Sequence, residues 1–162
     1  MRVIGLAGWS GAGKTTLVLK LIPELNRRGL TVSTLKHAHH AFEIDEPGKD
    51  SFEHRAAGAE EVLVASERRF ALIRELRGAP EPSLAELLAR LAPVDLVIVE
   101  GFKQLQWLRR VEVFRGAGEA LVLGDPGIAA VALPAGLELQ GYQGVKLPLD
   151  DLETVLDFIL SD

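Results

Sequence analysis

Residues 8–15 read Gly-Trp-Ser-Gly-Ala-Gly-Lys-Thr and match the pattern Gly-x-x-x-x-Gly-Lys-Ser/Thr of a phosphate-binding loop. A short apolar run at residues 2–8 precedes the turn and has the length of a strand. Residues 14–28 then place apolar side chains at helical spacing. Strand, glycine-rich turn and helix in this order bring backbone N–H groups and the positive end of a helix to one point. The octet therefore predicts that the chain binds a nucleoside triphosphate.

Each residue type in this loop has a chemical task. Gly8, Gly11 and Gly13 let the backbone curl so that successive N–H groups point inward at phosphate oxygens. Lys14 can reach the β- and γ-phosphates and is assigned a catalytic role, while the Thr15 hydroxyl can hold Mg²⁺. The loop residues that we predict to bind the nucleotide are Gly8, Ser10, Gly11, Ala12, Gly13, Lys14, Thr15 and Thr16.

The composition is typical of one globular domain, which we assign to residues 1–162. The formal net charge is −5, so no basic face indicates nucleic acid or an anionic membrane as a partner. Cysteine is absent, which excludes disulfides, thiolate metal sites and a cysteine nucleophile. The apolar run at residues 2–8 is too short for a signal peptide, and no later run approaches the roughly 18 residues of a membrane span. We therefore expect a cytoplasmic protein.

Strand-like and helix-like segments alternate along the chain, which predicts a P-loop α/β fold whose mostly parallel sheet is flanked by helices. Further strands are predicted at residues 30–36, 61–66, 70–74, 95–99, 110–115 and 128–133, and further helices at 51–57, 83–91 and from 151 onward. Residues 110–115 alternate apolar and polar side chains, which suits an edge or hairpin strand. The glycine-rich residues 115–126 are expected to form a flexible turn region. Ser83 with Glu86 predicts a capping box, and Asp150 is predicted to cap the last helix.

A second chemical signal is Glu100, at the end of the apolar run 95–99. In open α/β sheets, ligands bind beyond the carboxyl ends of the strands. A carboxylate there can reach Mg²⁺ directly or through a water, since Mg²⁺ keeps few protein ligands. We therefore predict that Glu100 is a catalytic residue and, with Thr15, a metal ligand. The alternative is that Glu100 merely ends a strand in solvent.

A third signal is the polar stretch after the second strand, which contains or borders all four histidines: His37, His39, His40 and His54. One interpretation is a transition-metal site, although no pair has the spacing of a known motif. A second is a switch segment that folds over the γ-phosphate. In it, Lys36, His37 and Arg55 would contact the nucleotide, and Asp50 would assist the metal or position a water. A third is a solvated polar loop. The switch interpretation is favoured.

Five segments in this order resemble the molybdopterin-guanine dinucleotide biosynthesis adaptor family, MobB. They are residues 8–16, Leu-Lys-His-Ala-His-His at 35–40, Pro-Gly-Lys-Asp-Ser at 47–51, Arg-Ala-Ala-Gly at 55–58 and Val-Glu-Gly-Phe-Lys at 99–103. The resemblance implies a GTP-binding homodimer with slow hydrolysis. It also implies phosphates and Mg²⁺ on residues 8–16, with Glu100 near the metal. Such proteins assist molybdopterin guanylyltransferase, which joins GMP to molybdopterin, alongside other cofactor-maturation proteins. The sequence has no Asn/Thr-Lys-x-Asp element, so the choice of guanine rests on the resemblance.

Three functions are compatible with these signals, and the adaptor GTPase is favoured. A small-molecule kinase would need an acceptor pocket and usually an arginine-bearing lid, for which the turn at residues 67–69 is poorly suited. A metal-delivery GTPase would use the histidines as a metal handle. For the adaptor, we predict that GTP orders residues 37–55. We also predict that the partner contacts that segment or residues 102–107, whose Phe102 and Trp107 either lie at an interface or pack in the core.

Overall fold

The computed structural model describes residues 1–38, 42–102 and 107–161. The chain forms two compact units. The first consists of Met1–His37 and Leu91–Asp162, and the second consists of Ala38–Arg90. In chain order the elements are β1 (Arg2–Ala7), α1 (Lys14–Arg27), β2 (Val32–Lys36), α2 (Asp50–Ala56), β3 (Glu61–Ala65), β4 (Phe70–Arg74), α3 (Leu84–Leu88), β5 (Leu96–Glu100), β6 (Arg110–Val113), a 3-10 helix (Leu121–Leu123), β7 (Ile128–Leu133), β8 (Val145–Pro148) and α4 (Leu152–Leu160).

The first unit is built on a six-stranded sheet in the order β2-β5-β1-β6-β7-β8. Every neighbouring pair in this sheet is parallel. Helices α1 and α4 share one apolar cluster with five of its strands, so both helices cover the same face. The predicted P-loop fold with a mostly parallel sheet and flanking helices is therefore confirmed. The assignment of residues 1–162 to one nucleotide-binding domain stays a prediction.

The periodicity of α1 and α4 explains why they pack on the sheet. In α1, Leu17, Leu21 and Leu25 recur at intervals of four residues and are buried, and in α4 Val155 and Ile159 do the same. Side chains at this spacing lie on one face of a helix. Burying each of them contributes roughly 1.5–3 kcal/mol relative to exposure. The apolar stripe thus fixes which side of α1 turns toward the sheet.

β6 is a central strand, which corrects the expectation of an edge or hairpin strand at residues 110–115. It pairs in parallel with β1 on one side and with β7 on the other, and all four of its residues are buried. Arg110 is tolerated there because its Nη2 donates to Asp125 Oδ1 at 2.8 Å. Gly5 of β1 makes room for this side chain, since a Cβ at residue 5 would lie 2.5 Å from Arg110 Cγ.

Glu112 of β6 anchors the connection between β6 and β7. Its fully buried carboxylate accepts the backbone N–H groups of Leu121 and Val122 at 2.9 and 2.8 Å. Residues 115–126 were expected to form a flexible turn region. They instead contain the 3-10 helix, which these hydrogen bonds hold against the strand. A buried backbone N–H group needs an acceptor. The polar side chain of Glu112 in β6 therefore points inward, where it accepts two N–H groups of this connection.

The second unit contains α2, α3 and the antiparallel hairpin of β3 and β4. The predicted capping box of α3 is confirmed: Ser83 Oγ accepts the N–H of Glu86, and the Glu86 carboxylate accepts the N–H of Ser83. The predicted strands at 61–66 and 70–74 and the helix at 51–57 are confirmed to within one residue at each end.

The carboxyl-terminal end of the chain departs from the prediction in two details. The N-cap of α4 is Asp151, whose carboxylate accepts the N–H of Thr154 at 3.2 Å, and not Asp150. Asp150 instead accepts the N–H of Ala135 at 3.4 Å. Strand β8 was not predicted, because Leu147 is its only buried residue and its periodic signal is weak. Within the described residues, none of the helices combines the length and apolar character needed to cross a bilayer.

Candidate nucleotide-binding site

The predicted phosphate-binding loop lies at the point where the sheet reverses its direction of connection. From β1 the chain passes through α1 to β2 on one side, whereas from β6 it continues to β7 on the other side. The carboxyl ends of β1 and β6 therefore flank a crevice, which is where ligands bind in open α/β sheets. The carboxyl ends of β5 and β2 lie at the same edge, because Leu6, Glu100 and Lys36 share one register across the three strands.

The backbone of the loop has the curled form that anion binding requires. Gly8, Gly11 and Gly13 have φ values of 134°, 78° and 96°, in the region that glycine enters without strain. At residue 8 no other side chain fits, since a Cβ there would lie 2.6 Å from the carbonyl oxygen of Val113. Helix α1 begins directly after Gly13, which has no side chain to cap it, and its first turn contains no acidic residue. Its positive end and its first N–H groups are therefore available to an anion.

Lys14 lies across the loop that it is predicted to serve. Its Nζ donates to the carbonyl oxygens of Gly8 at 2.9 Å and Trp9 at 3.0 Å. The side chain is partly buried, so the ammonium is positioned against the loop instead of extending into solvent. Phosphate oxygens, which carry full negative charge, are stronger acceptors than these carbonyls. The geometry thus suits an ammonium that turns from the carbonyls to a bound phosphate.

Thr15 and Glu100 approach each other as the magnesium prediction requires. Thr15 Oγ1 donates to Glu100 Oε2 at 3.3 Å, across 85 positions of sequence. A hydroxyl and a carboxylate are hard oxygen donors of the kind that Mg²⁺ prefers, and Mg²⁺ typically takes only one or two such protein ligands with phosphates and waters. The residues present therefore fit a magnesium ion. This carboxylate is half-buried and accepts a hydrogen bond from Thr15, and its roles as a catalytic residue and a metal ligand stay predictions.

His37 and Phe102 pack together beside Glu100. The N–H of His37 donates to the carbonyl oxygen of Glu100 at 2.9 Å, and the two rings have centroids 4.8 Å apart. Gly101 permits this approach, because a Cβ there would lie 2.7 Å from His37 Cβ. Phe102 has a φ of 51°, a conformation that is costly for an aromatic residue and that concentrates at functional sites.

Not all of the other predicted residues lie at the carboxyl ends of the strands. Lys36 is exposed at the carboxyl end of β2, and Ser10 and Thr16 are exposed on the loop and on the first turn of α1. Phe102 is half-buried after β5. Trp107 is 63 % exposed but precedes β6, and it therefore lies toward the amino ends of the strands. Phe102 and Trp107 thus lie toward opposite ends of the strands, although they are close in sequence.

Asp50 and Arg55 belong to the second unit, and their predicted roles toward the nucleotide stay predictions. Asp50 is the exposed first residue of α2. The Arg55 guanidinium donates to the carboxylates of Asp45, Glu43 and Glu75, and these hydrogen bonds, that of Asp45 first, raise the pKa of Arg55. Arg55 thus has a clear structural task, which is to tie α2 to the acidic residues around it.

The histidine-rich stretch is only partly covered by the structure. His39 and His40 lie outside the described residues, as do Ala41 and residues 103–106. His37 lies in the first unit, whereas His54 is an exposed residue of α2 in the second. Among residues 1–38, 42–102 and 107–161, no three histidine, aspartate or glutamate side chains are arranged to hold a metal ion.

One segment that contacts the loop was not predicted from the sequence: residues 113–119, which begin at the last residue of β6. Arg115 Nε donates to the carbonyl oxygen of Ala12 at 3.0 Å, and Trp9 Nε1 donates to that of Glu119 at 2.7 Å. The only sequence signal was a basic residue directly after a strand. That signal indicates a contact with the loop only once β6 is known to pair with β1.

Comparison with known proteins links this geometry to a family. The model of molybdopterin guanine dinucleotide synthesis protein B (MobB) matches residues 3–133. The chain is 42 % identical to a molybdopterin-guanine dinucleotide biosynthesis adapter protein of Escherichia coli K12, over 98 % of this chain and 91 % of that protein. It is 45 % identical to one of Haemophilus influenzae, over 97 % and 86 %. A crystal structure of molybdopterin-guanine biosynthesis protein B is similar with a TM-score of 0.75 and 28 % identity, and covers 98 % of this chain and 97 % of that one.

Proposed function

This chain belongs to the molybdopterin guanine dinucleotide synthesis protein B family, and on that premise we propose that it is a magnesium-dependent GTP-binding adapter in molybdopterin guanine dinucleotide biosynthesis. In this role it assists a molybdopterin guanylyltransferase in attaching GMP to molybdopterin. Its place of action is the cytoplasm, and other cofactor-maturation proteins are further partners.

The observation that carries the proposal is the approach of Thr15 to Glu100 at the mouth of the phosphate-binding loop. The loop N–H groups and Lys14 would hold the phosphates, while Thr15 and Glu100 would hold Mg²⁺. A bound magnesium ion supplies positive charge that stabilises the negative charge developing on the phosphates. Together these groups provide recognition of a triphosphate and its metal at one edge of the sheet.

The contact of Glu100 supports slow hydrolysis. Its carboxylate accepts a hydrogen bond from the Thr15 hydroxyl, so the two groups would hold a magnesium ion together and the carboxylate would not act as the base for an attacking water. Asp50 and Arg55, the other predicted members of the site, lie on α2, and Arg55 already has carboxylate partners. An adapter benefits from a long-lived bound state, because its partner must meet it before the nucleotide is lost.

The homodimer is supported by the hairpin of the second unit. Leu63, Phe70 and Leu72 lie on one face of the hairpin and are 63 %, 75 % and 46 % exposed. On the same face Glu61 and Arg74 are paired across the strands. A patch with an apolar centre and both charges at its end is complementary to itself, as the contact in a two-fold dimer must be.

Calorimetric titration with GTP and with ATP, each with and without Mg²⁺, tests the nucleotide and metal parts of the proposal. We expect binding of Mg·GTP, weaker binding of Mg·ATP, and a loss of the magnesium dependence in Thr15→Val, which removes the hydroxyl at nearly constant size. The matched control is Thr16→Val, which leaves the Thr15 hydroxyl in place and should keep the magnesium dependence. Equal affinities with and without Mg²⁺ in the unmodified protein would contradict the metal assignment.

Turnover and assembly test the remaining parts. GTP hydrolysis should be slow without any acceptor, and its rate should change when the guanylyltransferase is added. Phosphoryl transfer to a small molecule would instead indicate a kinase, and transition metal retained after purification without a tag would indicate metal delivery. In sedimentation experiments Leu72→Glu should yield monomers. Leu19→Glu, at a similarly exposed leucine on α1, should leave the dimer intact.

A further inference from the structure

The loop is supported by one short stretch of chain, residues 113–119, which begins at the last residue of β6. This stretch meets the loop at four positions. The Val113 carbonyl oxygen lies against Gly8, the Arg115 guanidinium lies against Ala12 and Gly13, and the Glu119 carbonyl oxygen accepts the indole N–H of Trp9. Because β1 and β6 flank the crevice of the sheet, this stretch begins beside the crevice in which ligands of open α/β sheets bind.

The contact with Arg115 fixes one particular peptide unit. The carbonyl of Ala12 and the N–H of Gly13 belong to the same trans peptide, in which C=O and N–H point in opposite directions. Arg115 Nε holds the Ala12 carbonyl oxygen at 3.0 Å. The N–H of Gly13 is thereby directed away from Arg115, where a phosphate oxygen would meet it.

Gly13 itself leaves room for this arrangement. A Cβ at residue 13 would lie 3.0 Å from Arg115 Nε and 3.3 Å from Nη2, so the guanidinium packs directly on the bare Cα of the glycine. Gly13 also has a φ of 96°, a conformation that would not be held by its own preferences, because glycine occupies many others equally well. The contact with Arg115, together with the hydrogen bond from the N–H of Leu17 to the Gly13 carbonyl at 3.0 Å, holds this conformation before the ligand arrives.

We propose that Arg115 is a positioning residue for phosphate binding, which orients the Ala12–Gly13 peptide so that the Gly13 N–H meets the anion. The inference rests on the proposed function, because it assumes that the loop binds phosphate. It does not require Arg115 to touch the nucleotide. Its contribution is preorganisation, which raises affinity by removing the cost of ordering the loop on binding.

Three substitutions separate positioning from charge. Counted along the side chain, glutamine places its Nε2 donor at the same number of bonds from Cβ as arginine Nε, and it carries no charge. Lysine keeps the charge but places its nitrogen one bond farther out, and methionine has a methyl group where Nε was. Positioning therefore predicts that Arg115→Gln binds best among the three, whereas a direct charge effect predicts that Arg115→Lys does.

The experiment measures the affinity of each variant for inorganic pyrophosphate and for Mg·GTP by calorimetry, with thermal unfolding as the check on folding. We expect Arg115→Gln to bind within about twofold of the unmodified protein and Arg115→Met about tenfold more weakly, which corresponds to the loss of one ordinary hydrogen bond, for both ligands alike. The amide resonance of Gly13 should shift on addition of pyrophosphate in the Gln variant as in the unmodified protein. Lys20→Gln, which removes one exposed charge elsewhere on α1, should bind normally.

The outcomes discriminate clearly. Tighter binding by Arg115→Lys than by Arg115→Gln overturns the inference, as does unchanged binding by Arg115→Met. If Arg115→Met does not fold, the comparison of the Gln and Lys variants still decides the question. If pyrophosphate binding follows the expected order but the protein shows no preference for GTP, the inference stands and the proposed nucleotide is wrong. If GTP binds and Arg115 has no effect, the inference is wrong and the proposed function stands.

Discussion

Replacing Lys14 with alanine should weaken Mg·GTP binding strongly and leave the fold intact. The Lys14 Nζ donates to two loop carbonyls, at 2.9 and 3.0 Å, and these contacts must be exchanged for phosphate oxygens when nucleotide binds. Two charge-assisted hydrogen bonds to phosphate are worth about 1.5–3 kcal/mol each, and the two surrendered carbonyl bonds offset roughly half of that sum. The remaining loss of about 1.5–3 kcal/mol corresponds to a roughly 10- to 150-fold weaker affinity.

The stability of the protein should change little, because Lys14 is only partly buried and alanine is a better helix former in the first turn of α1. Isothermal titration calorimetry with Mg·GTP measures the affinity, and thermal unfolding of the same sample verifies the fold. Lys20→Ala, an exposed lysine on the same helix, is the matched control for the loss of one positive charge. A folded Lys14→Ala protein with unchanged affinity would refute the assignment of this ammonium to the phosphates.

Three further predictions concern the metal, the acid stability and the response to ligands. Glu100→Gln should slow magnesium-dependent GTP hydrolysis more than it weakens GTP binding, and an unchanged hydrolysis rate would show that Glu100 has no role near the metal. The backbone N–H and hydroxyl of Thr31 donate to Asp95 at 2.8 and 2.7 Å and hold the pKa of Asp95 below its ordinary value. A lowered folded-state pKa stabilises the fold above the unfolded pKa of about 3.9, and that stabilisation is lost as the pH falls through the folded pKa. Urea unfolding should thus find Asp95→Asn less stable than the unmodified protein at neutral pH, with a difference that shrinks below about pH 3.9; a constant difference would contradict this cause. In hydrogen exchange, GTP should protect residues 37–55 and the partner transferase should extend protection to that segment or to residues 102–107, and exchange rates indifferent to both ligands would argue against the adapter mechanism.

The sequence predicted those parts of the fold and of the candidate site that depend on local patterns. The loop at residues 8–15 and the capping box of Ser83 each lie within a few positions, so residue spacing alone specifies their hydrogen bonds. Glu100 was predictable for a related reason, because the end of a buried parallel strand is where such sheets bind ligands. These signals do not depend on knowing which elements are neighbours.

The contacts that escaped prediction all depend on that knowledge. The pattern of β6 indicates an edge strand only if Glu112 is assumed to face water, whereas the structure gives its carboxylate two backbone donors from the 3-10 helix that follows β6. Arg115 could not be placed against Ala12 until β6 was known to adjoin β1. Similarly, Asp150 and Asp151 are equally good caps by residue type, and only the contact with Ala135 separates them.

The close fit between Gly5 and Arg110 has an evolutionary consequence. A Cβ at position 5 would lie 2.5 Å from Arg110 Cγ and 2.9 Å from Leu108 Cδ2, so a side chain there would compete for space first with Arg110 and then with Leu108. A relative that gains a methyl group at position 5 should carry a slimmer residue at position 110, and neither change should be well tolerated alone. The residues at positions 5 and 110, which face each other on adjacent strands, should therefore covary among homologous sequences.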